Sequence, residues 1–282
     1  MSSRPVPTLS LPAGLALPVL GLGTWRMGED PRRRRAEVAA LRRGLELGFT
    51  LIDTAELYGD GGAEEVVAEA TAGRREEVFL VSKVLPENSS RKGTVAACER
   101  SLKRLGTDRI DLYLLHWRGQ VPLEETVAAF EELVRAGKIR RWGVSNLDRS
   151  DLEELLALPG GERVQVDQVL YNPSRRGIEH DLLPLCRARG IVVMAYSPIE
   201  QGRLARHPTL RAVAARHAAT AAQVALAWVL RAPNVCTIPK ATTAAHVDEN
   251  RAALDLRLSP LDLAEIDHAF PAPDGPRPLE ML

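Results

Sequence analysis

Eight short apolar segments, each followed by a longer segment of helical character, constrain the fold of this chain more than any other feature. Each is rich in apolar residues, which is typical of a buried strand. The eight are Val19–Gly23, Thr50–Asp53, Val78–Lys83, Ile110–His116, Trp142–Ser145, Gln165–Leu170, Val192–Tyr196 and Val235–Pro239. Strands and helices that alternate with short connections form parallel sheets with right-handed crossovers. Eight such units predict an α/β fold, a (β/α)8 TIM barrel; an open doubly wound sheet with two additional strands is the alternative.

The segments between these strands carry the spacing and end signals of helices. Apolar residues recur at mostly helical intervals in Pro31–Leu47, Thr94–Leu105 and Pro122–Ala136. Helix starts are predicted where a Ser or Thr side chain can accept a hydrogen bond from a free amide of the first turn. These positions are Ser150 with Glu153, Thr220 with Gln223, and Ser259 with Pro260.

Length and composition are compatible with one large domain. The 282 residues are 45% hydrophobic and 26% charged, which is enough apolar material for a sizeable core. No linker rich in Pro, Gly or Ser divides the chain, so residues 1–282 are predicted to form a single barrel domain. The Pro- and Gly-rich opening is predicted to form a short hairpin, and the C-terminal tail is predicted to be short.

The charge balance argues against nucleic acid as a partner. The chain has 37 basic and 37 acidic residues, whereas a nucleic-acid binder normally has a basic excess on one face. The one dense basic run, Arg32 to Arg35, opens a helical pattern. It is predicted to be a solvated first turn, with an anion site as the less favoured alternative.

The cysteines and the N-terminal sequence indicate in which cellular compartment the protein is expected. Cys98, Cys186 and Cys236 are widely spaced and odd in number, which fits neither a disulfide framework nor a metal site. The N-terminal segment has no apolar signal region, and no run of about 18 apolar residues occurs elsewhere. We therefore expect a cytoplasmic protein without a metal ion or membrane association. A monomer is expected as well.

Three consecutive predicted strands end in an ionisable residue. These residues are Asp53, Lys83 and His116, and Tyr58 stands in the loop after Asp53. In a (β/α)8 barrel the active site lies at the C-terminal ends of the strands, so these side chains converge at one mouth. Each alone is more often structural, as a helix cap, a solvated lysine or a hydrogen-bonded histidine. Together they predict a catalytic site.

This set of side chains suits the reduction of a carbonyl group. A hydride that reaches the carbonyl carbon places negative charge on the oxygen, which needs a proton donor and a nearby positive potential. We assign Tyr58 as the general acid and Lys83 as the cation that lowers the pKa of Tyr58. Asp53 orients Lys83, and a neutral His116 polarises the carbonyl.

Short motifs spread over nearly the whole chain resemble the aldo-keto reductase family. They are Gly21–Trp25, Leu51–Gly59, Val81–Lys83, Asp111–Trp117, Gly143–Asn146, Ala195–Pro198, Ile238–Lys240 and Glu249–Asn250. Taken together, the order and spacing of these motifs are specific for that family. The sequences of the segments Gly137–Trp142 and Phe270–Pro273 are most similar to those of bacterial members of the methylglyoxal-reductase type. The resemblance implies a barrel oxidoreductase that uses NADPH.

The resemblance also implies a set of cofactor contacts across the barrel mouth. Ser145, Asn146 and Gln168 are expected to hold the nicotinamide amide, and Tyr196 to stack on the ring. The loop after the seventh strand is expected to contact the pyrophosphate. The remaining expected contacts are Gly23, Thr24, Trp25, Asp53, Ser197, Ile199, Gln201, Gly202, Lys240, Ala241, Thr242, His246, Glu249 and Asn250.

Lys240 is the expected contact of the 2′-phosphate of NADPH. A lysine at the start of a helix is a natural phosphate site, through its charge, the free amides and the helix dipole. A solvated lysine without a ligand is the alternative. Ala241 and His246 stand where many family members have Ser and Arg, which weakens the expected preference for NADPH over NADH.

Three apolar residues next to the catalytic residues are predicted to wall the substrate pocket. Trp25, Leu57 and Trp117 suit this role, although packing at the barrel rim is the alternative. A short tail predicts an open pocket, with small or varied aldehydes and dicarbonyls as substrates.

Two other functions remain open from the sequence. In a Schiff-base aldolase, Lys83 would attack a carbonyl directly, although Asp53 should keep the lysine charged. Alternatively, a nicotinamide-binding barrel acts as a redox sensor or subunit with little turnover.

Overall fold

An eight-stranded parallel sheet, with its strands in chain order, forms the centre of the molecule. The computed structural model describes residues 5–12 and 14–282. Its strands are β1 (Thr8–Ser10), β2 (Ala16–Pro18), β3 (Leu22–Gly23), β4 (Leu51–Asp53), β5 (Phe79–Val84), β6 (Ile110–Leu115), β7 (Ile139–Ser145), β8 (Val166–Leu170), β9 (Val192–Tyr196) and β10 (Val235–Thr237). β1 and β2 form the predicted hairpin, and each of β3 to β10 overlaps one predicted segment.

The first and last strands of the sheet meet, so the sheet closes into a barrel. Leu20 and Gly23 form parallel bridges with Thr237 and Lys240. A side chain at position 23 would prevent this approach, because its Cβ would lie 2.6 Å from the carbonyl oxygen of Ile238. Closure confirms the predicted barrel and rules out the open sheet.

Helices surround the barrel. They are α1 (Arg34–Glu46), α2 (Gly62–Thr71), α3 (Arg91–Leu105), α4 (Leu123–Arg135), α5 (Arg149–Ala157), α6 (Leu182–Arg189), α7 (Pro208–Arg216), α8 (Ala221–Leu230), α9 (Ala244–Ala252) and α10 (Pro260–Ala269). The run Arg32 to Arg35 lies at the start of α1, where the Arg32 side chain is exposed as predicted. In the described part of the chain, no helix alone is long and apolar enough to cross a membrane. α7 and α8 meet that criterion as a pair, across a bend of 89°.

The predicted helix caps are correct at α8 and at α10, where Ser259 precedes Pro260, and wrong at α5. The Thr220 hydroxyl accepts the Gln223 N–H at 3.2 Å, and the Gln223 side chain accepts the Thr220 N–H at 2.9 Å. At α5 the cap is Asp148, which accepts the Asp151 N–H at 2.9 Å, and the Ser150 hydroxyl donates to Asp148 instead. The carboxylate two residues upstream is the stronger acceptor, so the helix begins before the predicted serine.

Two apolar layers hold the barrel together. One fills its interior, with side chains that point inward from successive strands. Its members include Leu51, Val81, Leu112, Leu114, Val166, Val192, Met194 and Cys236. The other lies between the strands and the surrounding helices and contains Trp142 and Trp228, which are both fully buried. Because the interior is packed, a ligand can enter at a barrel end but cannot pass through.

Candidate active site

A cavity of about 690 Å³ opens at the C-terminal ends of the barrel strands. Asp53, Tyr58 and His116 lie in its wall, and Lys83 is fully buried behind them. Most of the predicted cofactor and substrate residues also line this cavity. Those in its wall are Gly23, Trp25, Leu57, Trp117, Ser145, Asn146, Gln168, Tyr196, Ser197, Ile199, Gln201, Gly202 and Lys240.

Lys83, near the end of β5, is the centre of a hydrogen-bond network. Its Nζ donates to Asp53 Oδ2 at 2.8 Å, to the Thr54 carbonyl at 2.9 Å and to the Tyr58 hydroxyl at 3.2 Å. Asp53 ends the neighbouring strand β4, and its Oδ1 accepts a bond from Gln168 Nε2 at 2.7 Å. The network therefore fixes an ammonium group against the phenol oxygen.

The Lys83 side chain stays charged despite its burial. Burial, the largest single effect, lowers the pKa of an ammonium group. The charge of Asp53, the interaction with Tyr58 and the hydrogen bonds to both together outweigh it, so the pKa of Lys83 is raised above its ordinary value. A charged amine has no free electron pair with which to attack a carbonyl. This geometry counts against the aldolase alternative.

The phenol of Tyr58 is held in its protonated form. Burial raises the pKa of Tyr58 above its ordinary value of 10.0, whereas the charge of Lys83 acts in the opposite direction. The predicted net lowering of this pKa is therefore not found, because loss of hydration disfavours the phenolate more than Lys83 favours it. The phenol keeps the proton that a general acid must donate.

His116 follows β6 and faces Tyr58. The two rings meet edge to face, with their centroids 5.7 Å apart. Burial holds the pKa of His116 well below its ordinary value of 6.5, and the charge of Lys83 lowers it further. The imidazole is therefore neutral at physiological pH, as its predicted role as a hydrogen-bond donor to a carbonyl oxygen requires.

The residues predicted to hold the nicotinamide amide lie together, with Ser145 at the end of β7, Asn146 directly after it and Gln168 on β8. The Ser145 hydroxyl donates to the Gln168 carbonyl at 2.8 Å, and Asn146 Nδ2 donates to Ser145 Oγ at 3.1 Å. The Tyr196 hydroxyl donates to Asn146 Oδ1 at 3.0 Å. Because Gln168 also bonds Asp53, this polar patch is tied directly to the catalytic network.

Lys240 lies in the cavity wall after β10 and makes no ion pair with the residues that the structure describes. Burial lowers the pKa of Lys240, and the nearby guanidinium groups of Arg26 and Arg33 lower it further. Glu37 and Glu29 oppose this shift. A half-buried ammonium without an ion-pair partner is suited to bind a phosphate group.

Six predicted cofactor residues do not line the cavity. They are Thr24, Ala241, Thr242, His246, Glu249 and Asn250. Thr24 is buried and donates its hydroxyl to the Asp53 carbonyl at 2.9 Å. Glu249 accepts the Thr220 hydroxyl at 2.5 Å, on the side of α9 that faces α8. α9 begins only at Ala244, with Thr243 as its cap, so Lys240 stands further ahead of the helix than predicted. Contacts of these six residues with a cofactor remain predictions.

The family model for aldo/keto reductases matches residues 19–270. The chain belongs to the aldo/keto reductase family. This confirms the family resemblance drawn from the motifs, and the eight-stranded barrel above is the fold expected for it.

Characterised and solved proteins are similar to this aldo/keto reductase over nearly its whole length. It is 55% identical to the methylglyoxal reductase YeaE of Escherichia coli, over 95% of this chain and 96% of that protein. It is 36% identical to a glyoxal reductase of Bacillus subtilis, over 98% and 97% of the two chains. A crystal structure of an aldo-keto reductase from Klebsiella pneumoniae in complex with NADPH superposes with a TM-score of 0.96. Its identity is 50%, over 99% of this chain and 100% of that one.

This aldo/keto reductase also places residues in the cavity wall that the sequence did not predict. Arg26 is one, and its guanidinium lies 4.4 Å from the ring centroid of Trp25. Met281 and Leu282 are two others, contributed by residues 270–282 (the tail), which follow α10. The tail therefore borders the mouth, and the expectation of an open pocket stays a prediction. Arg26 could have been found as a cation beside a predicted contact, whereas Met281 and Leu282 belong to no local motif.

Proposed function

We propose that this aldo/keto reductase reduces small aldehydes and ketones, including dicarbonyls such as methylglyoxal, to alcohols with NADPH. The observation that carries the proposal is the Tyr58 hydroxyl 3.2 Å from the Lys83 ammonium, in the wall of a cavity that also contains a neutral His116. This is a proton donor beside fixed positive potential, which carbonyl reduction requires.

The cavity has groups that suit both ends of NADPH. Ser145, Asn146 and Gln168 offer amide and hydroxyl groups near the catalytic residues, and Lys240 offers a cation without an ion-pair partner among the described residues. The similar protein from Klebsiella pneumoniae was crystallised with NADPH. When bound, NADPH supplies the hydride.

The protein's own residues then manage the charge on the substrate oxygen. The Tyr58 hydroxyl donates its proton to that oxygen, and the Lys83 ammonium stabilises the phenolate left on Tyr58. Asp53 holds Lys83 in place through the 2.8 Å ion pair. A neutral His116 donates an N–H to the same oxygen and orients it. Tyr58 regains a proton from solvent after the alcohol leaves.

The apolar part of the wall supports small substrates. Trp25, Leu57 and Trp117 line the mouth together with Met281 and Leu282 of the tail. These side chains exclude water from the carbonyl but leave room for a short aldehyde beside the cofactor. The two named relatives above are reductases of methylglyoxal and glyoxal, which are small dicarbonyls.

A panel of aldehydes and dicarbonyls, assayed by the loss of NADPH and of NADH absorbance, tests the proposal. We expect turnover with methylglyoxal, and higher kcat/KM with NADPH than with NADH because of Lys240. Tight binding of NADPH without turnover on any carbonyl would instead support a sensor or subunit. Covalent trapping of a carbonyl on Lys83 by borohydride, without nicotinamide, would support an aldolase.

A further inference from the structure

A buried carboxylate, Glu200, lies within the loop after β9 (residues 197–203, the cofactor loop). Its side chain is 4% exposed. Oε2 accepts a bond from Asn172 Nδ2 at 2.6 Å, and Oε1 accepts bonds from Arg203 Nη2 at 2.6 Å and Arg175 Nε at 3.0 Å. The backbone here is in the left-handed region, with φ of 48° at Glu200 and 53° at Gln201. These contacts hold a strained loop in one conformation.

Arg175 connects this loop to the tail. Its Nε bonds Glu200, while its Nη1 bonds the carboxylate of Glu280. Asn172 and Arg175 form a tight turn directly after β8, the strand that carries Gln168. One guanidinium after β8 therefore contacts two separate elements of the mouth, and its planar fork suits it to fix their relative positions.

The tail contacts the barrel at several points. Phe270 and Leu279 pack against the apolar core, and the backbone of Leu282 hydrogen-bonds Tyr196 in the cavity wall. Among the described residues, Arg175–Glu280 is the one ion pair that joins residues 270–282 to the rest of the chain. The other ion pair of the tail, Arg277–Asp274, is local and exposed. Met281 and Leu282, next to Glu280, form part of the cavity wall and are about half exposed. Glu280 thus supplies the ionic link of this wall to the barrel, one residue before Met281.

We propose that Arg175 and Glu280 are positioning residues that couple the cofactor loop to the tail wall of the substrate pocket. This inference rests on the proposed function. A ligand that orders the cofactor loop stabilises Glu200, which holds Arg175, and Arg175 in turn holds Glu280 and the apolar residues after it. The pocket for the carbonyl substrate is then complete when the cofactor loop is ordered.

Glu280→Gln tests the coupling, because Glu280 is exposed enough for the variant to fold. Asp274→Asn is the matched control, since it removes a carboxylate from the same tail without touching Arg175. We expect Glu280→Gln to raise the KM for methylglyoxal about twofold to fivefold, with kcat nearly unchanged. Discrimination against a bulky aromatic aldehyde should fall by a similar factor, and the control should match the wild type.

Hydrogen exchange read by mass spectrometry gives a result that does not need turnover. NADPH is expected to slow exchange in peptides covering residues 276–282 of the wild type and of Asp274→Asn, but not of Glu280→Gln or Arg175→Met. The double variant with Arg175→Met and Glu280→Gln should have the same KM for methylglyoxal as Glu280→Gln alone.

Wild-type tail peptides unaffected by NADPH, or Glu280→Gln kinetics equal to those of the control, would overturn the coupling. A wild type that binds NADPH but reduces no carbonyl would overturn the proposed function, while the exchange result would still decide the coupling.

Discussion

The Tyr58 hydroxyl is the residue-scale feature on which the proposed chemistry depends. It accepts a hydrogen bond from Lys83 and lies beside the ring of His116, so a carbonyl oxygen placed between the two rings contacts both. Burial keeps the proton on the phenol before reaction, and the Lys83 charge stabilises the phenolate after it. Both effects act on the same oxygen atom, which is why removing that atom alone is informative.

Tyr58→Phe is expected to lower kcat at least about 100-fold, because general acid catalysis contributes on that order. Lys83 retains its bonds to Asp53 and Thr54, so the fold and NADPH binding should persist. The measurements are NADPH consumption with methylglyoxal and a fluorescence titration with NADPH. Reduction at the wild-type rate would refute the role of Tyr58 as the acid.

The pH dependence of the reaction tests the state of His116. Its pKa lies well below 6.5, so lowering the pH from 7.5 to 6.5 leaves the imidazole neutral and able to polarise a carbonyl. We expect kcat/KM for methylglyoxal to stay flat over this range. A loss of kcat/KM with a midpoint near 6.5 that disappears in His116→Gln would show instead that the histidine titrates normally.

The convergence of Asp53, Lys83 and His116 was predictable because each lies at or next to the end of a recognisable strand. Asp53, Lys83 and His116 are single charged or polar residues after apolar runs, and a closed barrel brings such ends to one mouth. The net pKa of Tyr58 was not predictable, since it depends on how completely the folded chain removes water from the phenol. The sequence indicates which charges are neighbours but not how deeply they are buried.

At the scale of elements, strands were easier to predict than their boundaries. All eight barrel segments contain strands, because buried parallel strands are continuously apolar. The start of α5 was misplaced, since Asp148 and Ser150 are both acceptable caps in sequence and the stronger acceptor, Asp148, takes the role. The tail has no regular structure, and it is held by one ion pair and by apolar packing with residues distant in the chain.

Asp167 on β8 predicts an unusual pH dependence of stability. It is fully buried one residue before Gln168, and burial raises its pKa well above the ordinary 3.8, with Asp151 and Asp148 nearby adding to the shift. In the unfolded chain Asp167 ionises above about pH 4. Between that pH and its raised folded pKa, the free energy of unfolding therefore decreases as pH rises.

Asp167→Asn removes this penalty without changing the shape of the side chain. We expect the Tm of the variant, relative to the wild type, to increase from pH 4 to pH 7 by about 2 °C or more. Thermal unfolding followed by circular dichroism at several pH values measures the difference. A Tm difference that is constant with pH would contradict a raised pKa, and Asp274→Asn, at an exposed carboxyl, serves as the control.

At the scale of the whole molecule, closure of the barrel joins the interior layer into one cooperative unit. Leu114 is fully buried in that layer, and Leu261 on α10 is 63% exposed. Leu114→Ala is expected to lower the free energy of unfolding by about 2–5 kcal/mol, whereas Leu261→Ala should change it by less than about 0.5 kcal/mol. Both should unfold in a single calorimetric transition, as a single domain requires. Two separate transitions would contradict the prediction of one domain.

The most direct test of the proposed reaction traces the hydrogen that NADPH transfers to the carbonyl carbon. The wild-type protein is given methylglyoxal and NADPH that is doubly deuterated at C4 of the nicotinamide, and the alcohol is analysed by mass spectrometry. We predict one deuterium on the former carbonyl carbon of each product molecule. The amount of alcohol should match the loss of NADPH absorbance, and Tyr58→Phe should form the alcohol much more slowly. An alcohol without deuterium, or no alcohol with NADPH bound, would contradict hydride transfer from NADPH as the reaction of this protein.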